Sequence, residues 1–376
     1  MLMTEHEKVF FSILRSALWG TPVEVPEGFT QWGAIMKLAR IQALMGLVGD
    51  VLLTRSEIRD SLPPKFVEKL QDIPMTSVGM HSQMNMTLQL IATTLRNHGV
   101  EPVLLKGQGL ARNYPTPELR QCGDIDLYVG VQNYAKSYEA LKNIVSEIDD
   151  PSCLVSDEKH YHARVGRIMI EVHQYADIHS SSTFNRIYQD YAQLGLSEGL
   201  IPLQFGEMVV NTPADNFNAF YVFNHMWHHF MHEGVGLRQL CDWIVFLHSC
   251  AGSLDLEYLS SLLSKMKLIK PWKTFGCIAV DYLGMPKDEF PFYDSKYHKK
   301  AGKTLERIMF EGNFGQQTDF VRKPTRGYIS EKLFSLKCYI KRFFGLVAIF
   351  PYHAFQQIYY SIVEGMTRLI KDRKKR

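Results

Sequence analysis

The stretch from Leu104 to Val129, LLKGQGLARNYPTPELRQCGDIDLYV, places two aspartates one residue apart inside an apolar run. In a strand, residues i and i+2 project to the same face. Asp124 and Asp126 therefore point together, while Ile125, Leu127 and Val129 fill the opposite, buried face. Two adjacent carboxylates repel and raise each other's pKa unless a cation lies between them. Carrying that cost on a core strand points to a hard divalent ion, and Mg²⁺ takes oxygen ligands of this kind. The alternative is an exposed strand end with two solvated acids. A third carboxylate, Glu171 in IMIEVHQ, is again flanked by apolar residues. Three acids on neighbouring strands can hold two metal ions, which orient a nucleoside triphosphate and stabilise in-line attack on its α-phosphate. Upstream, Lys106-Gly107-Gln108-Gly109 follows a buried strand. Glycines there let backbone N–H groups approach phosphate, and Lys106 could neutralise it.

Other residues are candidates, each with a plainer reading beside it. Arg120, just before the aspartate strand, could contact triphosphate or stabilise charge during transfer; otherwise it forms a salt bridge with Glu118 or another acid. His173 shares the strand face of Glu171 and is either a supporting partner of the acids or a satisfied core histidine. In GLRQLCDW, Arg238 and Asp242 stand at i, i+4 on a helix, so an ion pair is expected. The functional alternative has Arg238, with Gln239, facing nucleotide or acceptor while Asp242 orients it. FNHMWHHFMHEG carries His225, His228, His229 and His232. His225, His229 and His232 share a helix face, but no HExxH pattern or cysteine accompanies them, so lining a cleft is favoured over zinc.

These groups need elements to hold them. Residues 1–98 read as helical: Val9, Phe10, Ile13, Leu14 and Leu18 recur at helical spacing, as do Ile35, Leu38, Ile41, Leu44 and Leu47. Pro63-Pro64 starts a new helix, and a longer one is expected from about 76 to 97, closed by Gly99. The period then changes. Strands are expected at 100–105 and 124–129, a helix over 131–148, and a hairpin of 160–165 and 168–173 joined by Gly166-Arg167. From 213 the chain is helical again, over 213–233, 235–250, 255–267, 271–283 and the tail 328–370. The expected fold class is α+β: an α/β core over 99–210, between an N-terminal helical region (1–98) and a C-terminal helical region (211–376).

The bulk composition agrees with a globular protein of two or three packed units: 376 residues, 46% hydrophobic and 22% charged. A net charge of +3 is too mild to argue for long nucleic acid. Six cysteines without a CxxC pair argue against a zinc ribbon or disulfide scaffold and fit a reducing compartment. The N-terminus lacks the pattern of a signal peptide, and no apolar run reaches the roughly 18 residues of a spanning helix. A cytoplasmic location is expected. The basic end KDRKKR reads as a solvated tail, with weak contact to a membrane surface as the alternative.

The order VLLKGQG, GDIDLYV and MIEVH resembles the DNA polymerase beta-like nucleotidyltransferase superfamily: a strand and glycine turn, an hDhDh strand, then a later hEh. Within it the chain looks most like a bacterial group of nucleotidyltransferase family proteins. The residues carrying that likeness are Lys106, Tyr114-Pro115, Arg120, Gly123 to Leu127, Glu171, His173 and Gly236 to Trp243, over roughly residues 30–285. One departure is that Lys106-Gly107-Gln108 replaces the usual glycine-serine turn. The resemblance implies an Mg²⁺- or Mn²⁺-dependent enzyme moving a nucleoside monophosphate from a nucleoside triphosphate to a hydroxyl. Asp124, Asp126 and Glu171 would hold metal and be catalytic; Lys106, Gly107, Gln108, Arg120 and Arg238 would bind nucleotide; His173 and Asp242 would support them. The acceptor would be a small molecule, a sugar or a protein. A non-catalytic nucleotide- or partner-binding protein on the same scaffold is the alternative, and a metallohydrolase using the histidine cluster a weaker third.

Overall fold

A computed structural model describes residues 3–155, 158–315 and 328–374. The N-terminal region forms α1 (Glu5–Trp19), α2 (Trp32–Ile41), α3 (Met45–Thr54), the short α4 (Ser56–Arg59) and α5 (Pro64–Asn97). Thr4 caps α1 with a reciprocal Thr4–Glu7 box, and Gly20 closes it in the left-handed conformation. The apolar repeat expected to run from Ile35 through Leu47 is cut between α2 and α3, where Ala43 takes a φ of 55°. The helices expected at 64 and at about 76 are one helix of 34 residues, with Pro74 inside it. Its first half packs Leu70 into one core, and its second half packs Met84, Leu88, Ile91, Ala92 and Leu95 into another. Anchorage at both ends holds it through the proline.

The strands are β1 (Val103–Leu104), β2 (Asp124–Tyr128), β3 (Glu147–Ile148), β4 (His160–Val165), β5 (Ile168–His173), β6 (Ile201–Phe205) and β7 (Met208–Thr212). Among the described residues they form a mixed sheet in the order β3-β4-β5-β2-β1-β7-β6. The central pair β2–β5 is parallel, and β4–β5 is the antiparallel hairpin expected around Gly166-Arg167. Helices α6 (Gln108–Ala111), α7 (Val131–Leu141) and α8 (Ser182–Gly195) lie in the connections. The helix expected over 131–148 stops at Leu141 because β3 pairs with β4, Ile148 opposite Ala163, at the sheet edge. The β6–β7 hairpin, turned at Gly206-Glu207, and α8 were not expected.

The C-terminal helices are α9 (Asp215–His232), α10 (Leu237–Ser249), α11 (Leu256–Lys265), α12 (Ile269–Asp281), α13 (His298–Glu311), α14 (Tyr328–Val347) and α15 (Pro351–Lys374). The tail expected to be helical over 328–370 forms two helices that meet before Pro351, and α13 is additional. Two cores result. One joins the sheet to α5 and α7 through Ile125, Leu127, Ile170, Val172, Tyr134 and Leu141. The other joins α1–α3 to the C-terminal helices through Phe10, Val48, Phe223, Trp243 and Trp272. The first and last thirds of the chain therefore share a core and hold α9 and α10 against the sheet. No described helix is long and apolar enough to cross a membrane. The side chains of the basic tail lie outside the described residues.

Candidate active site

The parallel register of β2 and β5 sets Asp126 opposite Glu171 and Tyr128 opposite His173. Alternation then puts Asp124, Asp126, Glu171 and His173 on one face. Ile125, Leu127, Ile170 and Val172 are buried on the other. One carboxylate oxygen from each of the three acids lies within 4.8 Å of the other two. The sequence placed these acids together, and the structure does so on adjacent strands.

Asp126 is the deepest of the three, at 1% exposure. Its Oδ1 receives Lys106 Nζ at 2.9 Å and lies 3.1 Å from His173 Nε2. Its Oδ2 is buried with no hydrogen-bond partner among the described residues. Burial alone would raise the Asp126 pKa, but Lys106 and His173 together hold it well below the usual carboxylate range. Asp124 moves the other way: the Asp126 charge, then burial, raise it. Burial also works to raise Glu171, and its hydrogen bond with His173 brings it below its ordinary value. An all-oxygen donor set, an orphaned buried carboxylate oxygen and an acid pushed up by its neighbour suit a hard divalent ion. The residues present therefore fit Mg²⁺ or Mn²⁺.

Lys106 follows β1, where Leu105 N–H donates to the Asp126 carbonyl at 3.0 Å. Burial opposes its charge, but Asp126, Asp124 and Glu171 raise its pKa. The ammonium also donates to His225 Nε2 at 3.0 Å. The expectation was that Lys106 reaches a phosphate; here it sits on the carboxylates. Gly107 has φ 56°, and a Cβ there would come 3.2 Å from the Asp124 carbonyl, so the turn passes tight against β2. Gln108 does not face the cleft. It is 2% exposed and bonds Asn85 and Cys122, tying α5 to the loop before β2. The nucleotide contact expected of it is corrected to that structural tie.

Arg120 and Asp242 are likewise placed with each other. Arg120 Nε donates to Asp242 Oδ1 at 2.9 Å, and the same guanidinium meets Oδ2 at 2.7 Å. Tyr114 O–H donates to Asp242 Oδ1 at 2.8 Å. Both charged groups are buried. Burial opposes the Arg120 charge, but Asp242 carries its pKa well above the usual value. The salt-bridge alternative for Arg120 is thus what the structure contains, with Asp242 rather than Glu118. Arg238 is a looser neighbour, 3.8 Å from Asp242 Oδ2, and its NH1 donates to the Gln121 carbonyl at 3.3 Å. Its charge reaches Asp124, whose pKa it lowers in part.

The carboxylates lie in a cleft of about 430 Å³. Lys106, Gly107 and the acids form one wall; Val222, His225, His229, Arg238 and Gln239 from α9 and α10 form the other. His225, His228 and His229 of α9 line it, as expected, but His232 borders a separate cavity with His353. Burial, with Lys106 close behind, pushes His225 well below its ordinary pKa, so its ring is neutral. His229 Nε2 lies 3.0 Å from His225 Nε2. Among the described residues, neither trio close enough for one ion draws on His225, His228, His229 or His232.

The sequence reading passed over Lys159, His160, His162 and Asp177. Asp177 is buried in the cleft, bonded by Asn224 Nδ2 at 3.0 Å and 3.8 Å from Lys159. Burial would raise its pKa, but Lys159 and then His228 bring it far below the usual range. His160 and His162 reach Glu171 from β4. The signal for them was present as alternation, HYH before the turn and EVH after it.

No curated protein matches the chain. A crystal structure of an antigenic nucleotidyltransferase-like protein from Paracoccidioides brasiliensis aligns over 58% of this chain and 97% of that one. Its identity is 13% and its TM-score 0.33, too weak a likeness to carry an argument. The model of a family described as "Uncharacterised nucleotidyltransferase" matches residues 29–284, well over half the chain and nearly the span of the sequence resemblance. With the paired carboxylate strands inside that span, the chain belongs to this uncharacterised nucleotidyltransferase family.

Proposed function

We propose that the protein is a divalent-metal-dependent nucleotidyltransferase that moves a nucleoside monophosphate from a nucleoside triphosphate to a hydroxyl. The observation that carries this reading is the carboxylate trio on β2 and β5, with the orphaned Asp126 Oδ2, at the floor of a cleft. Asp124, Asp126 and Glu171 would hold Mg²⁺ or Mn²⁺, which when bound neutralises phosphate charge and aligns attacking and leaving oxygens. Glu171 would take the acceptor hydroxyl proton. Lys106, now shared between Asp126 and His225, would turn to the triphosphate once divalent metal neutralised the carboxylates. Arg238 supplies positive charge from the opposite wall. Arg120 acts as a positioning residue that fixes the Tyr114–Asp242 corner, not as a phosphate ligand. The acceptor is a small molecule, a sugar or a protein hydroxyl.

One feature favours a nucleotide-binding protein without turnover: Lys106 already stands in salt-bridge contact with Asp126. Two measurements separate the readings. Wild-type protein with Mg²⁺ or Mn²⁺ and each nucleoside triphosphate is assayed for a thermal shift and for pyrophosphate release with a panel of hydroxyl acceptors. Transfer is expected, falling at least ~10³-fold in Asp124→Asn and in Asp126→Asn, as for loss of a metal-borne interaction. A thermal shift with no product from any acceptor supports the binding protein; metal-dependent turnover surviving in the double variant sinks the transferase assignment.

A further inference from the structure

The β4–β5 hairpin builds a second cluster of ligating side chains beside the carboxylate trio. Its antiparallel register sets His160 opposite His173 and His162 opposite Glu171. With the period of two, all four side chains leave the same face as a square patch. His160, Glu171 and His173 each offer a ligand atom within 4.8 Å of the others. Glu171 Oε2 lies 3.8 Å from His160 Nε2 and 3.4 Å from His173 Nε2. His160 Nε2 and His162 Nε2 are 3.2 Å apart. Around a tetrahedral Zn²⁺ with bonds of roughly 2.0–2.1 Å, neighbouring ligand atoms stand about 3.3 Å apart, so the trio needs little adjustment, while His162, 3.9 Å from Glu171 Oε1, has to turn inward as the fourth ligand.

The far sides of two of the rings are already held. His162 Nδ1 is 2.9 Å from Asp149 Oδ2, and the backbone N–H of His162 donates to the same oxygen at 2.7 Å. His173 Nδ1 is 3.3 Å from the Tyr175 carbonyl. An N–H at Nδ1 of His162 leaves its Nε2 lone pair free, whereas His173 Nε2, which also faces Asp126 Oδ1 at 3.1 Å, gives up its proton when an ion enters. The Nδ1 contacts are the outer arrangement that metal-binding histidines use, with the second nitrogen donating to a carboxylate or carbonyl. His160 Nδ1, in turn, is buried without a hydrogen-bond partner. His160 also borders the open cleft, and the His162 side chain is 45% exposed, so an ion has a way in.

We propose that His160, His162, His173 and Glu171 form a distinct nitrogen-rich site for a borderline divalent ion such as Zn²⁺, which imidazole favours over Mg²⁺. Glu171 is then shared between this site and the carboxylate site, and the ion fixes its orientation. The inference stands apart from the transferase reading: it concerns which ion binds, not whether transfer occurs.

The test uses full-length protein stripped of metal and titrated with Co²⁺ and with Zn²⁺. Co²⁺ is expected to give the visible absorption of a tetrahedral site at about one equivalent, and Zn²⁺ to displace it. His160→Ala should abolish the band. His162→Ala and Asp149→Asn should weaken Zn²⁺ at least ~10-fold, the range for ligand and outer-partner losses. Asp124→Asn, which removes only a carboxylate-site ligand, should keep the band. Far-UV circular dichroism confirms that each variant is folded, and half-exposed His162 supplies a variant that tolerates substitution if His160→Ala does not. No tetrahedral band in the wild type overturns the site. So does a band that survives both His160→Ala and His162→Ala, or one lost in His228→Ala, which would place the ion on α9.

Discussion

Asp124 and Asp126 differ more than their shared motif suggests. Asp126 has two cationic or protic partners and keeps its charge; Asp124 feels its neighbour's charge, and its pKa rises. The period of two told which acids would meet, because it fixes faces whatever the sheet order. It could not tell where long side chains end, and that is where Arg120, Gln108 and Lys106 departed from expectation. Each finds a partner on another element: buried Asp242, half-buried Asn85 and buried Asp126. The Arg120–Asp242 pair gives a prediction at this scale. Asp242→Ala leaves a buried guanidinium uncompensated and should cost about 3–5 kcal/mol in urea unfolding. Arg120→Lys loses the bidentate geometry and should lower stability while changing the nucleotide KM less than threefold. A stable Arg120→Lys protein with a KM raised tenfold or more would return Arg120 to the phosphate.

At the scale of elements, what was legible depended on local signals. The β4–β5 hairpin announced itself by alternation around Gly166-Arg167. The β6–β7 hairpin has the same two-residue turn at Gly206-Glu207, but Pro202 within its first strand masked it. Two helices were expected, from 64 and from about 76, yet α5 continues through Pro74, with Thr76 and Ser77 hydroxyls donating to the carbonyls of Asp72 and Ile73. The two cores that grip its ends are tertiary facts that no window of sequence contains. The strand order was equally hidden, since β1 pairs antiparallel with β2 and parallel with β7, over a hundred residues away. Gly107 is where a local requirement does bear on the site. Gly107→Ala would force a side chain into φ 56°, 3.2 Å from the Asp124 carbonyl. It should cost about 1–3 kcal/mol and displace Lys106 from Asp126. Urea unfolding measures the first, and a drop in the Lys106 pKa, followed by NMR of its Nζ, the second; an unchanged value for both would show that the turn is not constrained.

At the scale of the molecule, the sheet carries the acids but the C-terminal helices close the cleft, and their hold on α9 sensitises the whole to acid. Arg342 of α14 donates from Nε to the Met231 carbonyl at 2.7 Å and from NH1 to Glu311 at 2.9 Å, clamping the end of α9. Gln357 of α15 donates to the same Met231 carbonyl at 2.8 Å. Between these helices His232 and His353 are pushed down to about 3 and about 4 by burial. His228, beside them, is lowered by burial as well. A ring depressed in the folded protein is neutral there, while the unfolded chain takes up a proton from about pH 6.5 downward. Its stabilising contribution is complete above pH 6.5 and is lost as pH falls toward the folded value. For these partly exposed rings the loss should reach about 1–2 kcal/mol each by about pH 5. Asp124 works with the opposite sign. Its raised pKa means that its contribution is present at low pH and is lost as pH rises through the folded value, which is the repulsion a divalent ion relieves. The metal-free protein should therefore lose several degrees of Tm between pH 6.5 and about 5, while the Tm gain from Mn²⁺ shrinks as acid protonates Asp124, earlier on the way down than for an ordinary aspartate. Scanning calorimetry with and without Mn²⁺ across that range checks both trends. A flat metal-free Tm would remove the histidine junction from the account, and a Mn²⁺ gain that does not change with pH would detach it from Asp124.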